Sequence, residues 1–230
     1  MKNKLIQMLQ ANANRPKPPS NASTATDIYL YDVIGDWYGV TASDFVEAVK
    51  SADNGAFTLH INSPGGDVFD ARTIATTIKS HPAKVTAVIE GVCASAATYI
   101  ALAADEVKMA DGALFMIHNA WTLALGNADD MESTAALLRK VDSSILDDYV
   151  AKTGKEREEI AAAMAAETWY DANEAKAFGF VDEVLHAKAA KNTWDLSAYD
   201  NAPKVVENSN DIVDNREKFE RRLRLIESLS

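Results

Sequence analysis

The stretch AFTLHINSPGGDVFDARTIATTIKSH, residues 56–81, decides the fold. AFTLHINS reads as a strand and VFDARTIATTIKSH as a helix, with Pro64-Gly65-Gly66-Asp67 between them. Two adjacent glycines at a strand–helix turn free the backbone from Cβ restrictions and expose N–H groups at the helix start. An ordinary turn accounts for one glycine. Two after a proline leave room for a ligand strand or a developing oxyanion.

Working outward, the same alternation recurs. DIYLYDVIG (residues 27–35) reads as a strand, and Thr41 or Ser43 can cap a helix over DFVEAVKSA. KVTAVIEG is a strand, ASAATYIALAA a helix, and EVKMA and ALFMIH are short strands. A long helix is expected over 129–153, because Met131, Ala135, Leu138, Val141, Ile145 and Tyr149 advance by three or four positions along one face. KEREEIAAAMAAE and NEAKAFG are further helices, and FVDEVL closes the domain as a strand. Alternating strands and helices predict an α/β fold with a largely parallel sheet over residues 26–187.

Residues 1–25 are rich in Asn, Pro and Ser, and the stretch Met1–Thr24 carries Lys2, Lys4, Arg15 and Lys17 without an acid. They are expected to form a disordered tail, with a pro-segment or assembly arm as the alternative. Residues 188–230 read as a polar linker followed by a charged amphipathic helix, on which Phe219, Leu223 and Ile226 share a face.

The 230-residue chain is 47% hydrophobic and 25% charged, the balance of a globular protein with a sizeable core. A net charge of −11 argues against a nucleic-acid surface. No run approaches the roughly 20 apolar residues that span a bilayer, and the opening MKNKLIQMLQ lacks the features of a signal peptide. The single cysteine, Cys93, precludes an intrachain disulfide and suits a cytoplasmic setting.

Two further segments carry chemistry. Gly91-Val92-Cys93-Ala94-Ser95-Ala96-Ala97 places a serine where a strand turns into a helix, near the positive end of the helix dipole and the N–H of Ala96. Phe115-Met116-Ile117-His118-Asn119 ends an apolar strand in a histidine. Alone, the serine reads as a helix cap and the histidine as a structural side chain. Together they offer a nucleophile and the base it needs, 23 positions apart in the chain. Cys93 reads as a packed thiol, and His60, His81 and His186 have no zinc-ligand spacing, so no metal or cofactor is expected. No phosphate-binding Walker loop occurs, so any ATP dependence must reside in a separate unfoldase.

INSPGGDVFDA, GVCASAATYIALAADE, MIHNAW and ANEAKAFGFVDEV resemble the successive motifs of the ClpP peptidases, in the same order over residues 27–187. GDWYGVTASDF and HPAKV are similar to ClpP-like head maturation proteases of phages and prophages. The resemblance implies a crotonase-like spiral of ββα units, with the 129–153 helix as the handle that joins two heptameric rings. It implies Ser95 as nucleophile, His118 as general base, and the N–H groups of Gly66 and Ala96 as the oxyanion hole. An extended polypeptide would lie beside Pro64, Gly65 and Asp67. The third triad member falls at Glu167, where the family has Asp, with Asp171 as the alternative. The implied partners are a Clp-type ATPase or phage capsid and scaffold proteins. Two other functions stay open on this fold: a non-catalytic capsid-assembly protein, and a crotonase-type acyl-CoA enzyme that would need neither Ser95 nor His118.

Overall fold

The computed structural model describes residues 26–35, 39–188 and 194–203. The tail at 1–25 and the amphipathic helix expected near the C-terminus lie outside the described residues. In chain order the elements are β1 (Asp27–Leu30), α1 (Ala42–Ser51), β2 (Phe57–Ser63), α2 (Val68–Lys79), β3 (Val85–Ala94), α3 (Ala96–Ala101), β4 (Glu106–Asp111), β5 (Leu114–Ile117), α4 (Ala128–Thr153), α5 (Arg157–Ala165), β6 (Thr168–Tyr170), α6 (Ala172–Phe178) and β7 (Glu183–Lys188). The mixed α/β fold with a predominantly parallel sheet is the one the alternation predicts.

Helix boundaries follow local chemistry. Thr41 caps α1 in a reciprocal box with Asp44, and Asn127 caps α4 in the same way with Asp130. Gly154 ends α4 in the left-handed conformation, φ +67°, a termination that glycine makes without steric cost. In α4, only Ile145, Leu146 and Tyr149 are buried; along the stripe Ala135, Leu138 and Val141 are half-buried and Met131 is 38% exposed, while Leu137, off the stripe, is 50% exposed. The apolar stripe therefore packs into the core only along the C-terminal part of the helix.

The strand order is β1-β2-β3-β4-β7, all parallel, with β5 on β3 and β6 antiparallel to β5. Strand β3 is shared: Thr86–Ile89 pair with β4, whereas Val92–Ala94 pair with β5. The sheet thus splits at Glu90-Gly91. Here the Asn62 side chain inserts between strands and accepts the Val92 N–H at 3.0 Å. Its insertion coincides with the register shift between β2 and β3, and it demands a glycine alongside: a Cβ on Gly91 would meet Asn62 Oδ1 at 2.6 Å. The split carries β5 away from β4 and aligns its end with the end of β3.

The core covers one face of the main sheet, where the register partners Leu30, Ile61, Ile89 and Met109 line up beside Leu59, and fully buried Ile74, Ile100 and Phe115 complete it. A second cluster forms where Val33, Val92, Ala94 and Met116 meet Trp194, Leu196 and Tyr199. Those last three residues fall in the stretch read from sequence as a polar linker, yet each is less than 10% exposed. Residues 194–203 therefore pack as part of the domain, and the expected boundary at residue 187 does not end the packed structure.

Candidate active site

Register brings the two principal residues together. Ala94 at the end of β3 pairs with Met116 in β5, and Ser95 N–H donates to the Met116 carbonyl at 2.9 Å. Ser95 and His118 therefore leave neighbouring parallel strands at the same edge. The Ser95 Oγ and His118 Nε2 lie 2.7 Å apart. Ser95 adopts φ +55°, ψ −126°, a sharp turn between β3 and α3 that a non-glycine residue seldom takes. It occupies the N-cap position of α3 but makes no side-chain capping bond. Its hydroxyl is directed to the imidazole, so the helix-cap reading is set aside.

The loop that follows His118 is tethered at two successive residues. Asn119 N–H donates to the Met164 carbonyl at 3.2 Å and Ala120 N–H to the Asp142 carboxylate at 2.6 Å. Burial holds the His118 pKa down to about 4, with the nearby Glu167 carboxylate opposing that shift. The imidazole is neutral at pH 7 and free to accept a proton through Nε2.

The Pro64–Asp67 segment approaches the serine from the other side. Gly65, at φ +94°, lies so close that a Cβ there would meet the Ala94 carbonyl at 2.6 Å and Ser95 Cβ at 2.8 Å. Ile34 anchors the segment: its N–H donates to the Gly65 carbonyl and its carbonyl accepts from Asp67 N–H, both at 2.9 Å. Gly66, between these bonds, has an N–H with no hydrogen-bond partner among the described residues. The same is true of Ala96, at the first position of α3. Asp67 is the N-cap of α2, its carboxylate accepting from Phe69 and Asp70 N–H groups. Its structural engagement is local.

The acid position differs from expectation. Glu167, at φ +50°, accepts from Asn201 N–H at 2.7 Å, Asp200 N–H at 3.0 Å and Trp169 Nε1 at 3.2 Å. No hydrogen bond joins it to His118 among the described residues. Asp171 is the N-cap of α6, in a box with Glu174, so its carboxylate is committed to a helix start. The structure brings Ser95 and His118 together, places Glu167 near them, and leaves Asp171 with a capping duty.

Sequence reading missed the segment that holds Glu167. Trp194 Nε1 donates to Asn62 Oδ1 at 2.9 Å, and Tyr199 Oη donates to the Pro64 carbonyl at 2.5 Å. The Tyr199 ring stands edge-on to His118 with centroids 5.5 Å apart. The only available signal was three bulky residues, Trp194, Leu196 and Tyr199, in a polar stretch without periodicity. Cys93 is fully buried and burial pushes its thiol well up, so it offers no thiolate nucleophile. His60 sits between Asp27 and Glu90, at 3.2 and 3.0 Å, remote from this constellation.

Known proteins share this sequence and fold. The chain is 35% identical over 157 residues to the ATP-dependent Clp protease proteolytic subunit 1 of Chlamydia muridarum, a match covering 64% of the chain and 82% of that protein. It is 29% identical over 164 residues to the ATP-dependent Clp protease proteolytic subunit of Bacteroides fragilis, covering 70% and 79% respectively. Among solved structures, a point mutant of ClpP1 from Listeria monocytogenes superposes with a TM-score of 0.63 at 27% identity, over 71% of this chain and 92% of that one. The Clp protease family model matches residues 22–188, and with the strand register and loop geometry above it establishes that the chain belongs to the Clp protease family.

Proposed function

We propose that the chain is a serine endopeptidase in which Ser95 attacks the scissile carbonyl of an extended polypeptide. The observation that carries this reading is the 2.7 Å contact between Ser95 Oγ and His118 Nε2 at the junction of β3 and α3. His118 takes the hydroxyl proton as the Oγ–carbon bond forms. It then returns that proton to the departing amine as the peptide bond breaks. Water repeats the cycle on the acyl-enzyme and frees Ser95. The N–H groups of Gly66 and Ala96, without a hydrogen-bond partner among the described residues, are suited to the oxyanion. Glu167 raises the proton affinity of His118 through its charge, and a turn of its carboxylate toward Nδ1 would complete a triad.

Substrate would lie along the Pro64–Asp67 segment, using backbone hydrogen bonds and giving weak sequence preference. The exposed apolar residues Trp121, Leu123, Leu125, Met131 and Leu137 flank and begin α4, and they fit a handle that packs against other copies in a ring. The names of the Chlamydia and Bacteroides relatives support work with a separate ATPase.

The test is fluorophosphonate labelling of the purified chain, with Ser95→Ala and His118→Ala alongside, read by intact mass. One adduct, lost in both variants, supports the serine peptidase. No adduct on an assembled, folded chain would overturn it in favour of a scaffold role. A folded chain that is unlabelled but turns over acyl-CoA would favour the crotonase chemistry.

A further inference from the structure

A pocket opens directly beside Ser95 and His118, walled by Val68, Ala71, Tyr99, Ile145 and Tyr149, with Ala96 and Arg72 completing it. The helix α2 supplies three of these residues because Val68, Ala71 and Arg72, at i, i+3 and i+4, share one face. The lining is otherwise aliphatic and aromatic, so the guanidinium stands out.

The neighbouring polar groups are already engaged. Tyr149 Oη lies 2.6 Å from Thr98 Oγ1, and Thr98 Oγ1 also donates to the Ser95 carbonyl at 2.6 Å. Lys79 pairs with Asp148 at 3.2 Å. Arg72 makes one long hydrogen bond, Nη1 to Tyr99 Oη at 3.4 Å, and its guanidinium carbon lies 5.1 Å from the Tyr99 ring centroid. Its Nη2 is buried with no hydrogen-bond partner, and Arg72 has no ion pair among the described residues. A buried cationic donor without an acceptor is costly and attracts one when it is offered.

The position of the pocket identifies the ligand. When a scissile carbonyl carbon sits at Ser95 Oγ with its oxygen toward the Ala96 N–H, the side chain on the acyl side is adjacent to Ala96. Ala96 also lines this pocket. We propose that the pocket receives the side chain immediately before the scissile bond and that Arg72 selects an acidic residue there, its guanidinium pairing with the substrate carboxylate. This inference rests on the serine-peptidase reading. It adds a charge preference where backbone recognition alone would give almost none.

The experiment compares full-length wild type, Arg72→Met and Arg72→Gln on three quenched fluorescent peptides that differ only in Glu, Gln or Leu before the cleaved bond. Cleavage positions are checked by mass spectrometry, and fluorophosphonate labelling of Ser95 is run on every variant. Wild type should cleave the Glu peptide at least about tenfold more efficiently than the Gln peptide, the scale of discrimination a charge-assisted hydrogen-bonding pocket provides. Arg72→Met and Arg72→Gln should keep Ser95 labelling but bring the Glu and Gln peptides within about twofold, with Leu becoming the best residue in Arg72→Met. If one variant fails to fold, the other carries the comparison. A wild type that labels normally yet prefers Leu, with the same ranking in both variants, would overturn the Arg72 assignment and leave the peptidase intact. A wild type that neither labels nor cleaves would overturn both.

Discussion

Tyr199 donates its phenolic hydrogen to the Pro64 carbonyl at 2.5 Å, joining residues 135 positions apart across the mouth of the Ser95–His118 pair. Beside it, Asp200 and Asn201 direct their N–H groups at Glu167. The 199–201 stretch thus contacts the Pro64–Asp67 loop, the His118 imidazole and Glu167 together. A carboxylate held by three N–H donors has little tendency to turn to His118. Replacing Asn201 by proline deletes the shortest of the three. In Asn201→Pro, Ser95 acylation by fluorophosphonate should accelerate at least about tenfold, because an oriented acid is worth orders of magnitude in a triad. Slower or unchanged acylation would mean that Glu167 as held is already the working arrangement.

Glu167 and Asp171 separate by role. Glu167→Gln should lower kcat and loosen the 194–203 segment, seen as faster amide hydrogen exchange there. Asp171→Asn should leave kcat within about twofold, because asparagine also caps helices well. Asp171→Ala should cost about 1 kcal/mol in denaturant unfolding through the lost α6 cap, again with activity kept. Equal kcat losses in Glu167→Gln and Asp171→Asn would contradict this division.

The buried imidazole sets the pH response. His118 must be neutral to take the serine proton, and its pKa lies near 4. Acylation of Ser95 should therefore hold its rate down to about pH 5 and fall as pH drops through 4, well below the ordinary histidine value. Stability changes over a related window. The unfolded chain binds a proton at His118 near pH 6.5 and the folded chain resists it, so stability is full above 6.5 and declines as pH falls toward 4. Up to about 3 kcal/mol is at stake, and His118→Gln should flatten that part of the urea midpoint against pH. A labelling rate that halves near pH 6.5 would show a hydrated imidazole instead.

Much of this was legible in the sequence, for identifiable reasons. The β2–turn–α2 unit is local: a strand pattern, a Pro-Gly-Gly break and Asp67 as cap all act within a short stretch of chain. Ser95 and His118 were legible as candidates because each ends a strand. Their meeting depends on β3 changing partners at Glu90-Gly91, where the Asn62 side chain enters, and no local pattern announces that. Strand β6 has three residues and exists only because Phe115–Ile117 offers it a partner. Trp194, Leu196 and Tyr199 gain their burial from tertiary contact with Val92 and Met116, so they carry no periodicity to read. The diversion of Glu167 follows from that same contact and was equally invisible.

The exposed apolar side chains near α4 give a final expectation. Leu125 is 81% exposed, Leu123 54% and Leu137 50%, while the more C-terminal Ile145 and Tyr149 are buried in the chain's own core. Apolar side chains left open beside a helix whose far end is anchored in the core are stabilised when another copy covers them, each leucine contributing on the order of 1.5–3 kcal/mol on full burial. Leu123→Asp with Leu137→Asp should therefore leave the circular dichroism of the domain unchanged, since neither side chain is in the core. Sedimentation should shift from a multi-subunit particle toward the 24.9 kDa protomer. Because the Ser95–His118 contact is formed within one chain, fluorophosphonate labelling should survive the loss of assembly. A wild type that sediments as a protomer would remove the basis for a ring, and a double variant that still assembles would place the interface on another face.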